Sequence, residues 1–224
     1  MATTKIFIPY GAVGLNCRED AFEAGLAMGP DIISSDAGST DSGPYYLGSG
    51  RGKYAEADVR RDLRRMVLGA HELGIPVTIG SAGTCGSDFG VDEAARIVRE
   101  ICAEAGIRKT VAKIYSQQDR EVIKAKYREG RVSPLAGASE ISETTFDECS
   151  TIVALLGAEP YQKALAEGAD IVIGGRSTDT AVIAAYPLMR GGDEASCWHM
   201  AKTVECGGVC TSAGLTGGVF AEVD

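Results

Sequence analysis

Short apolar runs alternate with longer amphipathic stretches along this chain of 224 residues. Runs of strand length occupy 5–10, 31–36, 76–82, 110–116 and 170–175. Apolar residues recur with a helical period at 18–28, 54–73, 92–105, 120–127, 178–186 and 195–205. Such alternation is typical of parallel strands joined by right-handed crossovers, with helices on both faces. The pattern predicts an α/β fold with a doubly wound, mostly parallel sheet.

No repeat or interdomain linker interrupts the pattern, so we expect residues 1–224 to form a single α/β domain. Gly74 and Gly168 each stand between a helical stretch and a strand, where glycine commonly ends a helix. The segment 129–147 lacks a clear period. Its Gly, Ser and Pro content predicts an excursion from the core, such as a hairpin or a flap.

Charge and composition narrow the classes of function. The net charge is −9, which argues against a nucleic-acid partner, because phosphate binding needs concentrated Lys and Arg. No apolar run approaches the roughly 20 residues that span a membrane. The N-terminus, MATTKIFIPY, lacks the apolar core of a signal peptide. The seven cysteines include no CxxC pair and suit neither a disulfide framework nor a zinc site. A cytoplasmic protein without a membrane segment is therefore expected.

Glycine-rich polar loops follow four of the predicted strands. They are GAVGLN (11–16), DAGSTDSGPYYLGSG (36–50), GSAGTCGSDFG (80–90) and GGRSTDTAV (174–182). Parallel strands would bring all four loops to one edge of the sheet, where open α/β sheets bind ligands. The first loop lacks the GxGxxG spacing of a dinucleotide site. The pattern predicts a small-molecule site at this edge.

The loop GGRSTDTAV has the features of an anion-binding site. Gly174 and Gly175 would let backbone approach a ligand, while Ser177 or Thr178 would cap the following helix. The helix N-terminus favours an anion, and Arg176 offers a planar fork to carboxylate or phosphate. The alternative is a capped helix whose arginine pairs with a structural aspartate.

Four aspartates in these loops are candidates for a general base or for oxygen ligands of a magnesium-like ion. They are Asp36, Asp41, Asp88 and Asp179, and Asp36, at a strand end, is the strongest. Asp41 and Asp88 would alternatively make turns, and Asp179 would favour the helix dipole. The sequence leaves the cofactor open, with Mg²⁺ held by these aspartates, or no cofactor, as the alternatives. Further substrate contacts are expected from Gly38, Ser39, Thr40, Tyr45, Tyr46 and Ser81.

Several segments resemble the acyclic terpene utilization AtuA-like family across essentially the whole chain. They are DIISSDAGSTDSGPYYLGSG, EGADIVIGGRSTDTAV, HMAKTVECGG and TGGVF. The resemblance implies a role in bacterial catabolism of acyclic terpenes and related small acids, often alongside acyl-CoA enzymes. It implies site residues at Asp36, Gly38, Ser39, Thr40, Asp41, Arg176 and Asp179. Family members are usually longer, so the resemblance implies a truncated form, a short paralogue or one subunit of a split enzyme.

Two functions from different classes fit these observations. The first is a lyase or hydratase acting on a small carboxylate or its CoA thioester. Arg176 would hold the anionic group, and Asp36 or Asp88 would move a proton next to a carbonyl. The second is a non-catalytic ligand-binding or assembly subunit that uses the same loops for binding. In either case we expect a small anionic ligand and a homo-oligomer or a partner subunit.

Overall fold

A six-stranded sheet organises the protein. The computed structural model describes residues 3–38, 42–212, 214 and 217–224, so Ser39, Thr40 and Asp41 lie outside the described residues. The strands are β1 (Thr4–Ile8), β2 (Ile32–Asp36), β3 (Val77–Gly80), β4 (Val111–Ile114), β5 (Ile171–Gly174) and β6 (Val219–Val223). Their order across the sheet is β4-β5-β3-β2-β1-β6. β1 to β5 run parallel, and β6 pairs antiparallel with β1.

Nine α-helices are present in the described part of the chain. They are α1 (Glu19–Ala27), α2 (Tyr45–Ser49), α3 (Glu56–Leu73), α4 (Asp88–Ala105), α5 (Arg120–Arg128), α6 (Glu143–Glu148), α7 (Glu159–Ala166), α8 (Ala181–Met189) and α9 (Glu194–Val204). A short 3₁₀ helix, Gly207–Cys210, precedes β6. Helices α1, α3 and α4 cover one face of the sheet, and α7, α8 and α9 cover the other. The α/β fold with a mostly parallel sheet and helices on both faces is confirmed.

Alternate residues of the strands contribute to two separate hydrophobic cores, one on each face of the sheet. Phe7 and Ile33 face α1, α3 and α4, while Ile6, Ile8 and Ile32 face α7, α8 and α9. This follows from the two-residue period of a strand, and strands buried on both faces read as continuous apolar runs. The sheet is therefore covered on both faces, and polar loops follow the carboxyl ends of its parallel strands.

Glycine ends two helices where the sequence predicted it. Gly74 follows α3 with φ 68°, and Gly168 follows α7 with φ 89°. A side chain with a Cβ is disfavoured in this left-handed region. Within 129–147 the structure has an irregular segment and then the start of α6 at Glu143. Among the described residues, none of the helices is both long and apolar enough to cross a membrane.

Candidate functional site

The loops after β2, β3 and β5 meet because these three strands are neighbours in the sheet. The Ala37 amide donates to the Gly80 carbonyl at 2.8 Å, and the Ser81 amide donates to the Gly175 carbonyl at 3.0 Å. The loop after β1 joins them through the Val13 amide, which donates to the Asp36 carbonyl at 2.9 Å. Parallel topology thus brings four polar loops to one edge of the sheet.

Asp36, the last residue of β2, is the most unusual group at this edge. Its side chain is buried, with 2% of the residue exposed. Oδ2 accepts a hydrogen bond from the Gly38 amide at 3.1 Å. Oδ1 is also buried, and no described residue hydrogen-bonds to it. A buried acceptor without a partner is costly, so this atom is a natural contact point for a ligand or a proton.

The pKa of Asp36 is raised to about 7, chiefly because burial disfavours the charged form. The negative charge of Asp179 raises it further, while Arg176, the Ser81 hydroxyl and the Gly38 amide lower it. The carboxyl group therefore exchanges its proton close to neutral pH, where a general acid or base works best.

The Arg176 side chain connects its own loop with the loops after β2 and β3. The residue is buried, and Nη1 donates to the carbonyls of Gly38, at 3.1 Å, and Thr84, at 3.3 Å. Nη2 donates to Asp179 Oδ1 at 3.0 Å, an i,i+3 ion pair. Nε is buried and has no acceptor among the described residues. The pairing with an aspartate, one of the two alternatives from sequence, is present, yet part of the guanidinium remains unpaired.

A cleft of about 380 Å³ opens beside Arg176. Its lining residues are Gly43, Pro44, Tyr46, Leu47, Thr84, Cys85, Val153, Leu155 and Arg176. Tyr46 therefore contributes to the cleft. Tyr45 lies in edge contact with Tyr46, with 5.3 Å between ring centroids, but 65% of it is exposed. The walls are largely apolar, and Arg176 provides their cationic group.

The glycines of the edge permit close packing between loops. A Cβ on Gly38 would clash with the Thr84 backbone, and a Cβ on Gly174 would clash with the Tyr161 hydroxyl. Gly175 is packed in the same way against Ser116. These glycines therefore bring protein groups together in the described structure. The sequence had suggested that the Gly174 and Gly175 backbone would approach a ligand.

Ser177 and Thr178 have different surroundings. The Ser177 hydroxyl is fully buried, 2.6 Å from the Tyr161 hydroxyl, and donates to the Gly175 carbonyl at 2.9 Å. Thr178 Oγ1 accepts from the Ala181 amide at 3.2 Å, at the start of α8. Of the two, Thr178 is therefore the residue that accepts from the first amide of α8, while the N-cap position itself is Thr180.

Ser81 and Thr84, in the loop after β3, have left-handed backbone. Their φ angles are 45° and 72°, which is uncommon for residues with a Cβ. The Ser81 hydroxyl accepts from the Ser177 amide at 3.3 Å, and the Thr84 hydroxyl donates to the Ala37 carbonyl at 3.2 Å. Unfavourable backbone held in place by surrounding bonds is often found at functional sites.

Asp88 makes its side-chain contact with a different segment of the chain. It is the first residue of α4, and its Oδ1 accepts from the Gln117 amide at 3.3 Å. It neither lines the cleft nor contributes to the pKa of Asp36. Its contact links α4 to the segment after β4. Within the described ranges, no group of three or more His, Cys, Asp or Glu is placed to hold a metal ion.

Sequence reasoning missed two residues that shape this edge. Ser116 Oγ donates to the Gly86 carbonyl at 3.0 Å and accepts from the Arg176 amide at 2.7 Å. Tyr161, on α7, supplies the hydroxyl next to Ser177. The available signal for Ser116 was its place as a polar residue just after a strand. Tyr161 offered none, because only the glycine end of α7, and not the helix that carries Tyr161, was predicted.

Together, the fold and the edge define an α/β protein with a buried carboxyl group at the end of β2 and a buried arginine that lines an apolar cleft. The chain belongs to the family described as "Acyclic terpene utilisation family protein AtuA", whose model matches residues 48–224. The match includes Arg176 and Asp179 and begins at residue 48, near the end of the loop that carries Asp36. No curated protein and no solved structure gives a significant match to the chain.

Proposed function

We propose that this protein is a catabolic enzyme that acts on a small carboxylate or its CoA thioester by lyase- or hydratase-type chemistry. In this reaction Asp36 moves a proton next to the carbonyl group of the substrate. The observation that carries the proposal is the buried Asp36 Oδ1, which lacks a partner among the described residues and belongs to a carboxyl group with a pKa of about 7. Membership of an acyclic terpene utilisation family supports a catabolic role.

General acid–base catalysis is most efficient when the pKa of the catalytic group lies near the working pH. An ordinary aspartate, with a pKa of 3.8, is a weaker base than a carboxyl group whose pKa is raised toward neutrality. Burial makes Asp36 a stronger base, and perturbed groups of this kind are concentrated at active sites. Asp36 thus has both a pKa near neutrality and a carboxyl oxygen, Oδ1, without a partner among the described residues.

Arg176 is suited to hold the anionic part of the substrate. A guanidinium has five N–H donors. Three hydrogen bonds, to Gly38, Thr84 and Asp179, use three of them. Nε and one hydrogen of Nη2 therefore remain for an acceptor from outside the described residues. Asp179 offsets part of the charge, so Arg176 acts mainly as a directional donor rather than as a strong point charge.

The cleft supports a small organic ligand. Its volume of about 380 Å³ lies within the range of about 300–1,000 Å³ that is common for such sites. Leu47, Val153 and Leu155 give it apolar walls, and Arg176 lies among them. This arrangement fits a molecule with a hydrocarbon part and an anionic end.

The test is a thermal-shift screen of small carboxylates, hydroxy acids and acyl-CoA thioesters, followed by turnover assays on each ligand that binds. We expect Asp36→Asn to keep binding and to lose at least 100-fold in kcat, since general base catalysis is worth about 10²–10⁴-fold. The matched control is Asp88→Asn, which removes a carboxylate that contacts the Gln117 amide and does not influence the pKa of Asp36, and which is expected to retain kcat. Full turnover by Asp36→Asn would contradict the proposal.

The second candidate is a ligand-binding or assembly subunit without catalytic activity, alone or with a partner. It is favoured by Arg176, whose guanidinium is already engaged in joining loops. The same screen separates the two functions. A ligand that binds wild type and Asp36→Asn equally, and that neither protein converts alone or as a purified complex, would favour the subunit.

A further inference from the structure

The strand β4 forms an open edge of the sheet. It pairs with β5 on one side, and none of the described strands pairs with its other side. The carbonyls of Thr110 and Ile114 accept from amides in and just after β5. Successive residues of a strand direct their backbone groups to opposite sides. The amides and carbonyls of Val111 and Lys113 therefore face away from β5 and are available to another strand.

β4 is also more exposed than the strands inside the sheet. Every residue of β2, β3 and β5 is buried, whereas β4 has three half-buried residues and one exposed residue, Lys113. Just after β4 the edge is covered by another segment. There the Ala154 amide donates to the Ser116 carbonyl at 2.8 Å, and the Gln118 amide donates to the Ile152 carbonyl at 2.8 Å. The open part of this edge is thus β4 itself.

A cavity flanks β4 on each face of the sheet. One, of about 570 Å³, lies between β4 and α4, and the other, of about 390 Å³, lies between β4 and α7. Val111 packs against the core on the α4 face, while Ala112 and Ile114 pack against the core on the α7 face. The side chains of an added strand would alternate between the faces in the same way. They would therefore enter the two cavities in turn.

Cations line the cavity beside α4. They are Arg99, Arg108, Lys109 and Lys113, and no carboxylate is among the described residues that line it. Lys109 Nζ lies 3.4 Å from Asp170 Oδ1, and Lys113 Nζ lies 2.8 Å from Asp92 Oδ1. The side chains of Arg99 and Arg108 are exposed and make no hydrogen bond or ion pair with any described residue. A chain with a net charge of −9 thus carries an excess of positive charge at this place.

The cavity beside α7 has a different lining. Small apolar residues contribute to it from both sides, namely Ala112, Pro160, Ala164 and Ala169. Lys163 and Glu167 also line it, and their side chains form an ion pair with each other. A strand that filled both cavities would therefore need acidic side chains on one face and apolar side chains on the other.

We propose that β4 binds an extended, acidic segment of another polypeptide as an additional strand, with acidic side chains toward α4 and apolar side chains toward α7. The backbone groups of Val111 and Lys113 hold the strand, and the two linings select its sequence. A second copy of this chain is disfavoured, because antiparallel pairing of two β4 strands places the cations of both copies side by side. The inference does not rest on the proposed function.

The probe is a fluorescently labelled peptide of about eight residues in which glutamate and valine alternate, long enough to cover a strand of ordinary length. Fluorescence anisotropy measures its binding, and the same peptide with lysine in place of glutamate is the control. We expect Arg108→Glu to weaken binding of the glutamate peptide by about tenfold or more, since like charges then meet. The matched control variant is Arg190→Glu, an exposed arginine at the end of α8, which should leave binding unchanged.

Hydrogen exchange measured by NMR tests the strand addition itself. Saturating glutamate peptide should slow exchange of the Val111 and Lys113 amides by about tenfold or more, because they become hydrogen-bonded. The Ala112 amide faces β5 in both states and is the internal control. Absence of binding by the glutamate peptide would overturn the proposal and would mean that the cations only protect the edge from pairing.

Three other results would also overturn it. Equal binding of the lysine peptide would show that the cations do not select the partner. Binding without slower exchange at Val111 and Lys113 would show attraction to the cations without strand addition. Slow exchange at both amides in the free protein, together with a dimeric mass, would show that a second copy already covers β4.

Discussion

Replacing Asp36 with asparagine removes a titrating group while keeping the size of the side chain. The amide oxygen of asparagine can still accept from the Gly38 amide, which now donates to Asp36 Oδ2 at 3.1 Å. Its NH₂ group would occupy the place of Oδ1, which has no partner among the described residues. The substitution therefore tests what the charge of Asp36 does to the free energy of unfolding.

The magnitude follows from the pKa. Burial raises the pKa of Asp36 from its ordinary value of 3.8 to about 7 in the folded protein. Between pH 4 and pH 7 the folded state holds a proton that the unfolded state has lost, so stability falls as pH rises. Each pKa unit corresponds to 1.36 kcal/mol, which gives at most about 4 kcal/mol across this window.

Urea unfolding of both proteins at pH 4, 5.5, 7 and 8 measures the effect. We expect the two to differ least at pH 4, where Asp36 is neutral in wild type. Asp36→Asn should then gain stability relative to wild type as pH rises, by up to about 4 kcal/mol at pH 8. Taking the difference between the two proteins cancels the titration of groups that they share.

A constant difference in unfolding free energy from pH 4 to pH 8 would refute the reasoning. It would mean that Asp36 has the same pKa in the folded and unfolded states. A difference that changed in the opposite direction would show that the folded protein stabilises the carboxylate. Equal m-values for the two proteins are the control for an unchanged extent of unfolding.

Two further substitutions test the packing of the edge. Arg176→Ala leaves Asp179 and two carbonyls without their donor, so we expect a loss of about 3–5 kcal/mol in urea unfolding; a loss below 1 kcal/mol would show that the guanidinium does not hold the loops. Gly38→Ala places a Cβ against the Thr84 backbone and should cost more than 1 kcal/mol. The control is Gly48→Ala on α2, where the nearest atom is 3.7 Å away and no loss is expected; equal stability of the two alanine variants would contradict the packing argument.

The sequence predicted the sheet because buried parallel strands have a strong and simple pattern. The five parallel strands were found to within a few residues, and their parallel direction placed Asp36 and Arg176 at one edge. β6, α2 and α6 were missed, and of α7 only its end at Gly168 was predicted. Val219–Val223 follows a glycine-rich stretch, α2 and α6 have five and six residues, and α7 has eight with a proline in its first turn. β6 is stabilised by pairing with β1 and α7 by packing on the sheet, and neither contact has a local sequence pattern.

The details of the site depended on contacts between distant segments. A Gly–Gly pair before an arginine has the same sequence whether its backbone meets a ligand or a side chain such as Tyr161. Asp88 and Asp36 both followed strands, yet only Asp36 is buried at the centre of the edge. Burial, and with it the raised pKa, is a property of the whole packed structure and could not be deduced from the loop alone.

The central claim is that Asp36 changes its protonation near neutral pH inside the folded protein. A carboxyl ¹³C NMR titration of wild type from pH 3 to pH 9, with Asp36→Asn as the assignment control, measures this directly. The structure predicts a single carboxyl signal that titrates at about pH 7 and disappears in the variant. If the signal lost in the variant instead titrates near pH 4, Asp36 is an ordinary carboxylate and the proposed proton transfer is contradicted.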